Sequence, residues 1–152
     1  MKRILVTLLA CSAVISLHAG DHKVHLDPAL RPYVQEWCDA MDAAGIPWRE
    51  DFLKLNAIGV MTYSVDKAAR AAGETDYQKG WVTINRAYMD RGYCAIRHAV
   101  FHEMGHAIFG LKHNSCFIMQ TNAIPDLQYY CDGWDWMLKE YIKQCKISYY
   151  GR

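Results

Sequence analysis

The sequence has almost no net charge and lacks paired cysteine motifs. Its 152 residues include 17 lysines and arginines against 16 aspartates and glutamates. Nucleic-acid binding usually needs a broad basic patch, so this balance argues against a nucleic-acid partner. No two cysteines have the C-x-x-C spacing, which argues against a zinc site made of cysteines alone. With 52% of its residues apolar, a chain of this length is expected to form one domain.

Residues 1–19 are expected to be a signal peptide. Lys2 and Arg3 form a short basic start, and the apolar run from Ile4 to Leu17 follows them. Ala19 then ends a segment that suits cleavage by signal peptidase. The run is shorter than the roughly 20 residues of a membrane-spanning helix. We therefore expect no transmembrane span in the mature chain.

The segment before Cys11 supports an alternative form of export. Leu8-Leu9-Ala10-Cys11 is similar to a lipoprotein cleavage box, which would leave a lipid anchor on Cys11. Both hypotheses take the protein out of the cytosol, so it is expected to be secreted or periplasmic. With cleavage after Ala19, residues 20–152 are expected to form a single domain.

Cysteine usage is compatible with export, because disulfides form in oxidising compartments. Cleavage after Ala19 would leave five cysteines, an odd number, so at least one is free or pairs between chains. These are Cys38, Cys94, Cys116, Cys131 and Cys145. Cys131 and Cys145 flank a predicted helix and would lie about 20 Å apart, too far to pair with each other. Pairs of Cys116 with Cys131 or with Cys94 remain open.

The apolar pattern predicts an α+β domain with a few-stranded mixed sheet. Helical spacing of apolar residues predicts a first helix from Pro28 to Ala44 and a final helix from Asp132 to Lys146. Between them, the segment from Phe52 to Val65 predicts one or two short strands. From Tyr93 to Phe109 the pattern is helical again, and this long helix carries the residues of chemical interest.

The segment from Trp81 to Asn85 is rich in β-branched and aromatic residues and predicts a further strand. We expect an edge strand here, which could pair with an extended peptide by β-augmentation. The preceding segment, Gly73 to Gly80, is polar and is predicted to be turn-rich.

The run from His102 to His106 reads His-Glu-Met-Gly-His and gives the strongest chemical signal in the chain. Helical residues four apart lie one turn apart on the same face, so the two histidines can bind one metal ion. Glu103 lies next to the first histidine and can take a proton from a water on that ion. Zinc lowers the pKa of its bound water to about 7, which makes this pattern typical of hydrolytic zinc sites.

A third ligand is expected from residues beyond the helix. Gly110 is predicted to end the helix, so that the chain can turn back and bring His113 to the ion. Three imidazoles and one water make a tetrahedral catalytic site. If His113 does not bind, Glu140 on the final helix is the next candidate. His98 precedes His102 by one turn and converges poorly on the same ion. It is therefore predicted to contact the ligands without binding the ion, to face the substrate, or merely to be packed.

These residues resemble the metzincin clan of zinc metallopeptidases, whose motif is H-E-x-x-H-x-x-G-x-x-H followed by a methionine turn. The resemblance implies that residues 20–152 form a single zinc metallopeptidase-like domain, a zinc-protease fold with a long active-site helix and a C-terminal helix behind the turn. It implies that His102, His106 and His113 bind one Zn²⁺ ion and that Glu103 is the general base. Met119 would be the methionine beneath the metal.

The resemblance covers Gly80 to Gln120 and includes one departure. Ala107-Ile108-Phe109 puts three residues between the second histidine and the glycine, where the clan has two. The third histidine therefore comes one residue later, and the extra residue would extend the helix or form a bulge. The strand at Trp81 to Asn85 resembles the clan's edge strand above the site.

The expected function is that of an exported zinc-dependent endopeptidase acting on a protein or peptide substrate. In the mechanism that the resemblance implies, Glu103 activates a zinc-bound water, the water attacks the peptide carbonyl, and Glu103 then protonates the departing amine. Two alternatives without turnover remain. One is a zinc-binding module that captures peptides along its edge strand, and the other is a structural zinc site closed by a fourth ligand such as Cys116.

Overall fold

A computed structural model of the chain describes residues 23–68, 71–121 and 127–152. The predicted signal peptide and Cys11 lie outside these ranges. The fold class prediction is confirmed at the level of α+β, because helices pack against a four-stranded mixed sheet. The long helix and the C-terminal helix are both present.

The described residues form four strands, six α-helices and two 3₁₀ turns. The strands are β1 His25–Leu26, β2 Ala57–Met61, β3 Gly73–Asp76 and β4 Trp81–Asn85. The α-helices are α1 Arg31–Ala43, α2 Arg49–Phe52, α3 Val65–Ala68, α4 Tyr93–Phe109, α5 Leu127–Asp132 and α6 Trp134–Tyr150. Two 3₁₀ turns cover Arg86–Arg91 and Phe117–Met119. No helix among the described residues has the length and apolar character needed to cross a membrane.

The sheet corrects two predictions about its edge. Its order is β1-β2-β4-β3, with β1, β2 and β4 parallel and β3 antiparallel to β4. The strand Trp81–Asn85 was expected at the edge, but it lies inside the sheet between β2 and β3. The segment Gly73–Gly80 was predicted to be turn-rich; its last four residues form turns, but its first four form β3. Backbone pairing with β4, with Glu74 opposite Thr83, holds β3 extended although it has no apolar side chain.

Helix α4 lies at the centre of the molecule. Eleven of its 17 residues are buried, as expected for a helix covered on most of its sides. One side packs against β3 and β4, and the others meet α1, α5 and α6. On α6, the fully buried Tyr141 donates a hydrogen bond of 2.8 Å to the carbonyl of Phe101 and accepts one of 3.0 Å from Trp37 Nε1. These bonds fix α1 and α6 against the middle of α4.

A disulfide between Cys94 and Cys131 joins the first turn of α4 to α5, with 5.4 Å between the Cα atoms. Both pairings considered for Cys116 were therefore wrong. Cys116 is a buried free thiol at the start of the second 3₁₀ turn, and Cys38 and Cys145 are also buried free thiols. Burial in apolar surroundings raises the pKa of each of these three thiols.

Candidate metal centre

Two histidines of α4 and one histidine beyond it come together at the surface of the helix. The ring centroids of His102 and His106 lie 4.8 Å apart, as their one-turn spacing predicts. The ring of His113 lies 5.3 Å from that of His102 and 4.7 Å from that of His106. One possible ligand atom from each residue falls within 4.8 Å of the others, which is a group that could hold a metal ion. Glu140, the alternative third ligand, is not part of this group.

Backbone carbonyls set which nitrogen of each helical histidine can bind a metal. Nδ1 of His102 lies 2.8 Å from the carbonyl oxygen of Ile118, and Nδ1 of His106 lies 2.6 Å from that of Leu111. A carbonyl only accepts, so each Nδ1 carries the proton and donates it. Each Nε2 is then left with a free lone pair, the form that binds metals.

The two Nε2 atoms lie only 3.1 Å apart. With both protons on Nδ1, neither Nε2 atom can donate a hydrogen bond to the other. Two nitrogen ligands at about 2.0–2.1 Å from one tetrahedral zinc ion are separated by about 3.4 Å. The donor type and the spacing at His102 and His106 therefore fit a shared zinc ion.

The chain turns sharply after α4 to bring His113 to this place. The N–H groups of Gly110 and Leu111 donate to the carbonyls of His106 and Gly105, which closes the end of the helix. Gly110 adopts φ +62°, a left-handed conformation that costs glycine little. Because α4 is continuous to Phe109, the residue that exceeds the metzincin spacing is accommodated as part of the helix.

The 3₁₀ turn at Phe117–Met119 packs against the part of α4 that carries His102 and His106. Met119 is fully buried. A Cβ added at Gly105 would lie 2.8 Å from Met119 Sδ and 3.1 Å from the ring of Tyr141. Gly105, between the two histidines on α4, therefore allows close contact between the helix and this turn. The same turn supplies the Ile118 carbonyl that orients His102.

Glu103 is buried beneath strand β3, with 6% of its surface exposed. Thr75 Oγ1 lies 2.9 Å from Glu103 Oε2 and 3.0 Å from the main-chain oxygen of the same residue. The pKa of Glu103 is raised to about 7, chiefly by burial; the hydrogen bond from Thr75 opposes this rise and the charge of Glu74 adds to it. A carboxyl with such a pKa can take up and release a proton near neutral pH.

His98 lies outside the group of three histidines. Its ring centroid is 4.2 Å from that of Tyr130 and 6.3 Å from that of His102. Its Nε2 atom has no hydrogen-bond partner among the described residues. Burial lowers the pKa of His98 to about 3, so the ring is neutral and packed in the core.

The contribution of β3 was missed because the motif residues lie on α4 and on the loop after it. Gly73 and Thr75 have no metal-binding chemistry, and their sequence offers no strand periodicity. A hydroxyl two residues after a glycine is too common a pattern to single out. Only the position of β3 beside Glu103 reveals their part in the site.

The chain matches no protein-family model, no curated protein and no solved structure. The resemblance to metzincins therefore rests on the motif residues of the sequence alone.

Proposed function

We propose that the protein is an exported zinc-dependent endopeptidase of the metzincin type. The observation that supports this function best is the pair of Nε2 atoms of His102 and His106, 3.1 Å apart and each kept free of its proton by a carbonyl bond at Nδ1. His113 completes a group of three imidazole donors. Burial lowers the pKa of His102 to about 4 and also lowers that of His106, which favours the neutral, metal-binding form.

The residues around the centre support hydrolysis rather than metal storage. A bound zinc ion would make a water acidic and polarise the carbonyl of a peptide bond. Glu103 takes the proton of the attacking water and later gives it to the amine that leaves. Burial raises the pKa of this carboxyl in the metal-free protein, and the charge of a bound zinc ion would favour the carboxylate that accepts the proton of water.

The edge of the sheet supports a peptide substrate. Among the described strands β3 is the last in the sheet, and it packs against α4 beside Glu103. An extended peptide that pairs with the free side of β3 would run past the Glu103 carboxylate. Recognition of this kind uses main-chain hydrogen bonds, so it accepts many sequences. We therefore assign pairing with an extended peptide to β3 instead of Trp81–Asn85.

The structural-zinc alternative needs a fourth protein ligand. Among the residues that the structure describes, the group contains the three histidines alone, and Cys116 is not a member. An incomplete ligand set leaves a position for water or substrate, which is typical of catalytic zinc.

The test combines zinc content with cleavage of a mixed peptide library. The parent is compared with Glu103→Ala, and with Glu140→Ala as a control for loss of an exposed carboxylate. We expect one zinc ion in all three proteins and cleavage in the parent and in Glu140→Ala only. Zinc without cleavage in any of them would favour the peptide-capture module. Protein without zinc would exclude the metal centre itself.

A further inference from the structure

Strand β3 fits closely around the Glu103 side chain. Gly73 and Thr75 are two residues apart, so both lie on the face of the strand that meets α4. A Cβ added at Gly73 would lie 2.7 Å from Glu103 Cγ and 3.0 Å from Glu103 Oε1. Thr75 Oγ1 lies 2.9 Å from Glu103 Oε2. One residue thus leaves room for the carboxylate, and the other holds one of its oxygens.

The Thr75 hydroxyl has two acceptors on the same glutamate. Glu103 Oε2 lies 2.9 Å from it and the main-chain oxygen of Glu103 lies 3.0 Å from it. A hydroxyl has one proton to donate and lone pairs that accept. It can therefore donate to Oε2 when the carboxylate is charged. When Oε2 carries a proton, the hydroxyl can accept that hydrogen bond and turn its own proton to the main-chain oxygen.

We infer that Thr75 is a positioning residue that holds the Glu103 carboxyl in both of its protonation states during peptide hydrolysis. This inference rests on the proposed function. The transferred proton passes from water to Glu103 and then to the leaving amine, while Thr75 keeps its own proton throughout. The hydroxyl rotates between its two acceptors, so the carboxyl does not have to move between the two transfers.

A purely structural hydroxyl would only join β3 to α4, and a matched control separates the two roles. Thr83 on β4 is opposite Glu74 and is 8% exposed. Its Oγ1 lies 2.7 Å from the Tyr63 hydroxyl and 3.3 Å from the Glu74 carbonyl. It therefore has a similar bonding pattern in the adjacent strand without a hydrogen bond to Glu103.

The kinetic test compares the zinc-loaded parent with Thr75→Val, Thr75→Ser and Thr83→Val. Loss of a hydrogen bond that orients a reacting group is expected to lower kcat by about 10- to 100-fold and to change KM by less than about twofold. Thr75→Ser should recover most of kcat, and Thr83→Val should keep it. An unchanged kcat in Thr75→Val, or an equal loss in Thr83→Val, would overturn the inference.

A second measurement tests the contact without turnover. Unfolding of the metal-free parent, Thr75→Val, Glu103→Ala and the double variant forms a double-mutant cycle. If Thr75 bonds directly to Glu103, the effect of the double variant on the unfolding equilibrium constant should differ from the product of the two single effects by at least about threefold. If the two single effects simply multiply in the double variant, the inferred role of Thr75 is overturned, whereas the proposed function is not affected. A zinc-loaded parent that cleaves no peptide would instead overturn the proposed function, and the catalytic use of Thr75 with it.

Discussion

At the scale of single residues, the geometry of the candidate metal centre depends on atoms that the motif does not contain. The i, i+4 spacing is enough to predict that His102 and His106 share a face of a helix. It gives no information on which ring nitrogen points outward. The carbonyls of Ile118 and Leu111 decide this, and both belong to the chain after α4. The closeness of the two helical histidines was therefore predictable from sequence, but the tautomers of their rings depended on the path of the loop.

The third ligand is open to a direct test with two substitutions. We expect His113→Ala to weaken zinc binding by at least about 100-fold, because loss of a direct ligand should cost no less than loss of an outer hydrogen bond to a ligand. Glu140→Ala should bind zinc like the parent, since Glu140 is outside the group of donors. Competition with a chromophoric chelator measures both affinities. The reverse order of effects would assign the third position to Glu140.

Gly105 should tolerate a methyl group poorly. In Gly105→Ala the new Cβ would lie 2.8 Å from Met119 Sδ and 3.1 Å from Tyr141 Cε2. Met119 can adjust, but Tyr141 is fully buried and bonded at its hydroxyl. We expect a loss of about 1–3 kcal/mol in the free energy of unfolding, although alanine favours a helix over glycine by about 1 kcal/mol. Urea denaturation gives the value, and a variant as stable as the parent would contradict the close packing.

At the scale of elements, the sequence predicts a segment well when the spacing of apolar residues within that segment determines its structure. The bounds of α4 agree with the prediction because apolar residues recur along its length and Gly110 ends it. The strand β3 reads Gly-Glu-Thr-Asp and has no such pattern. Its conformation and register come with its pairing to β4, and its Gly73 and Thr75 lie against Glu103. The sequence of β3 alone does not reveal such contacts with β4 and α4.

The disulfide joins two elements whose pairing the sequence left open. Cys94 on α4 and Cys131 on α5 are separated by 37 residues. Closing a loop of this size removes entropy from the unfolded chain and stabilises the fold by about 2–4 kcal/mol. We therefore expect the variant with Cys94→Ser and Cys131→Ser to unfold at lower denaturant concentration than the oxidised parent.

Reduction provides the control for this prediction. The reduced parent should unfold at about the same denaturant concentration as the double variant, because both lack the link. The variant itself should not respond to reductant. A parent whose stability is unaffected by reductant would show that the bond contributes nothing to the fold.

At the scale of the whole molecule, the three histidines come from two parts of the chain, the central helix and the loop after it. His102 and His106 belong to the buried central helix, whereas His113 is exposed on the loop between that helix and the second 3₁₀ turn. A metal ion held by all three would link this loop to the core. Since the unfolded chain does not bring the rings together, binding energy becomes folding energy.

Zinc should therefore stabilise the native protein by mass action. At a free concentration of about 100 times Kd the gain is about 2.7 kcal/mol, which raises the unfolding temperature of a domain of this size by about 10 °C. A chelator should reverse the shift. Mg²⁺ should give none, because it prefers oxygen ligands to imidazole. Differential scanning fluorimetry of the parent and of His106→Ala measures this rise in unfolding temperature. The rise should be lost in His106→Ala. An equal rise in both proteins would show that the stabilising zinc binds elsewhere.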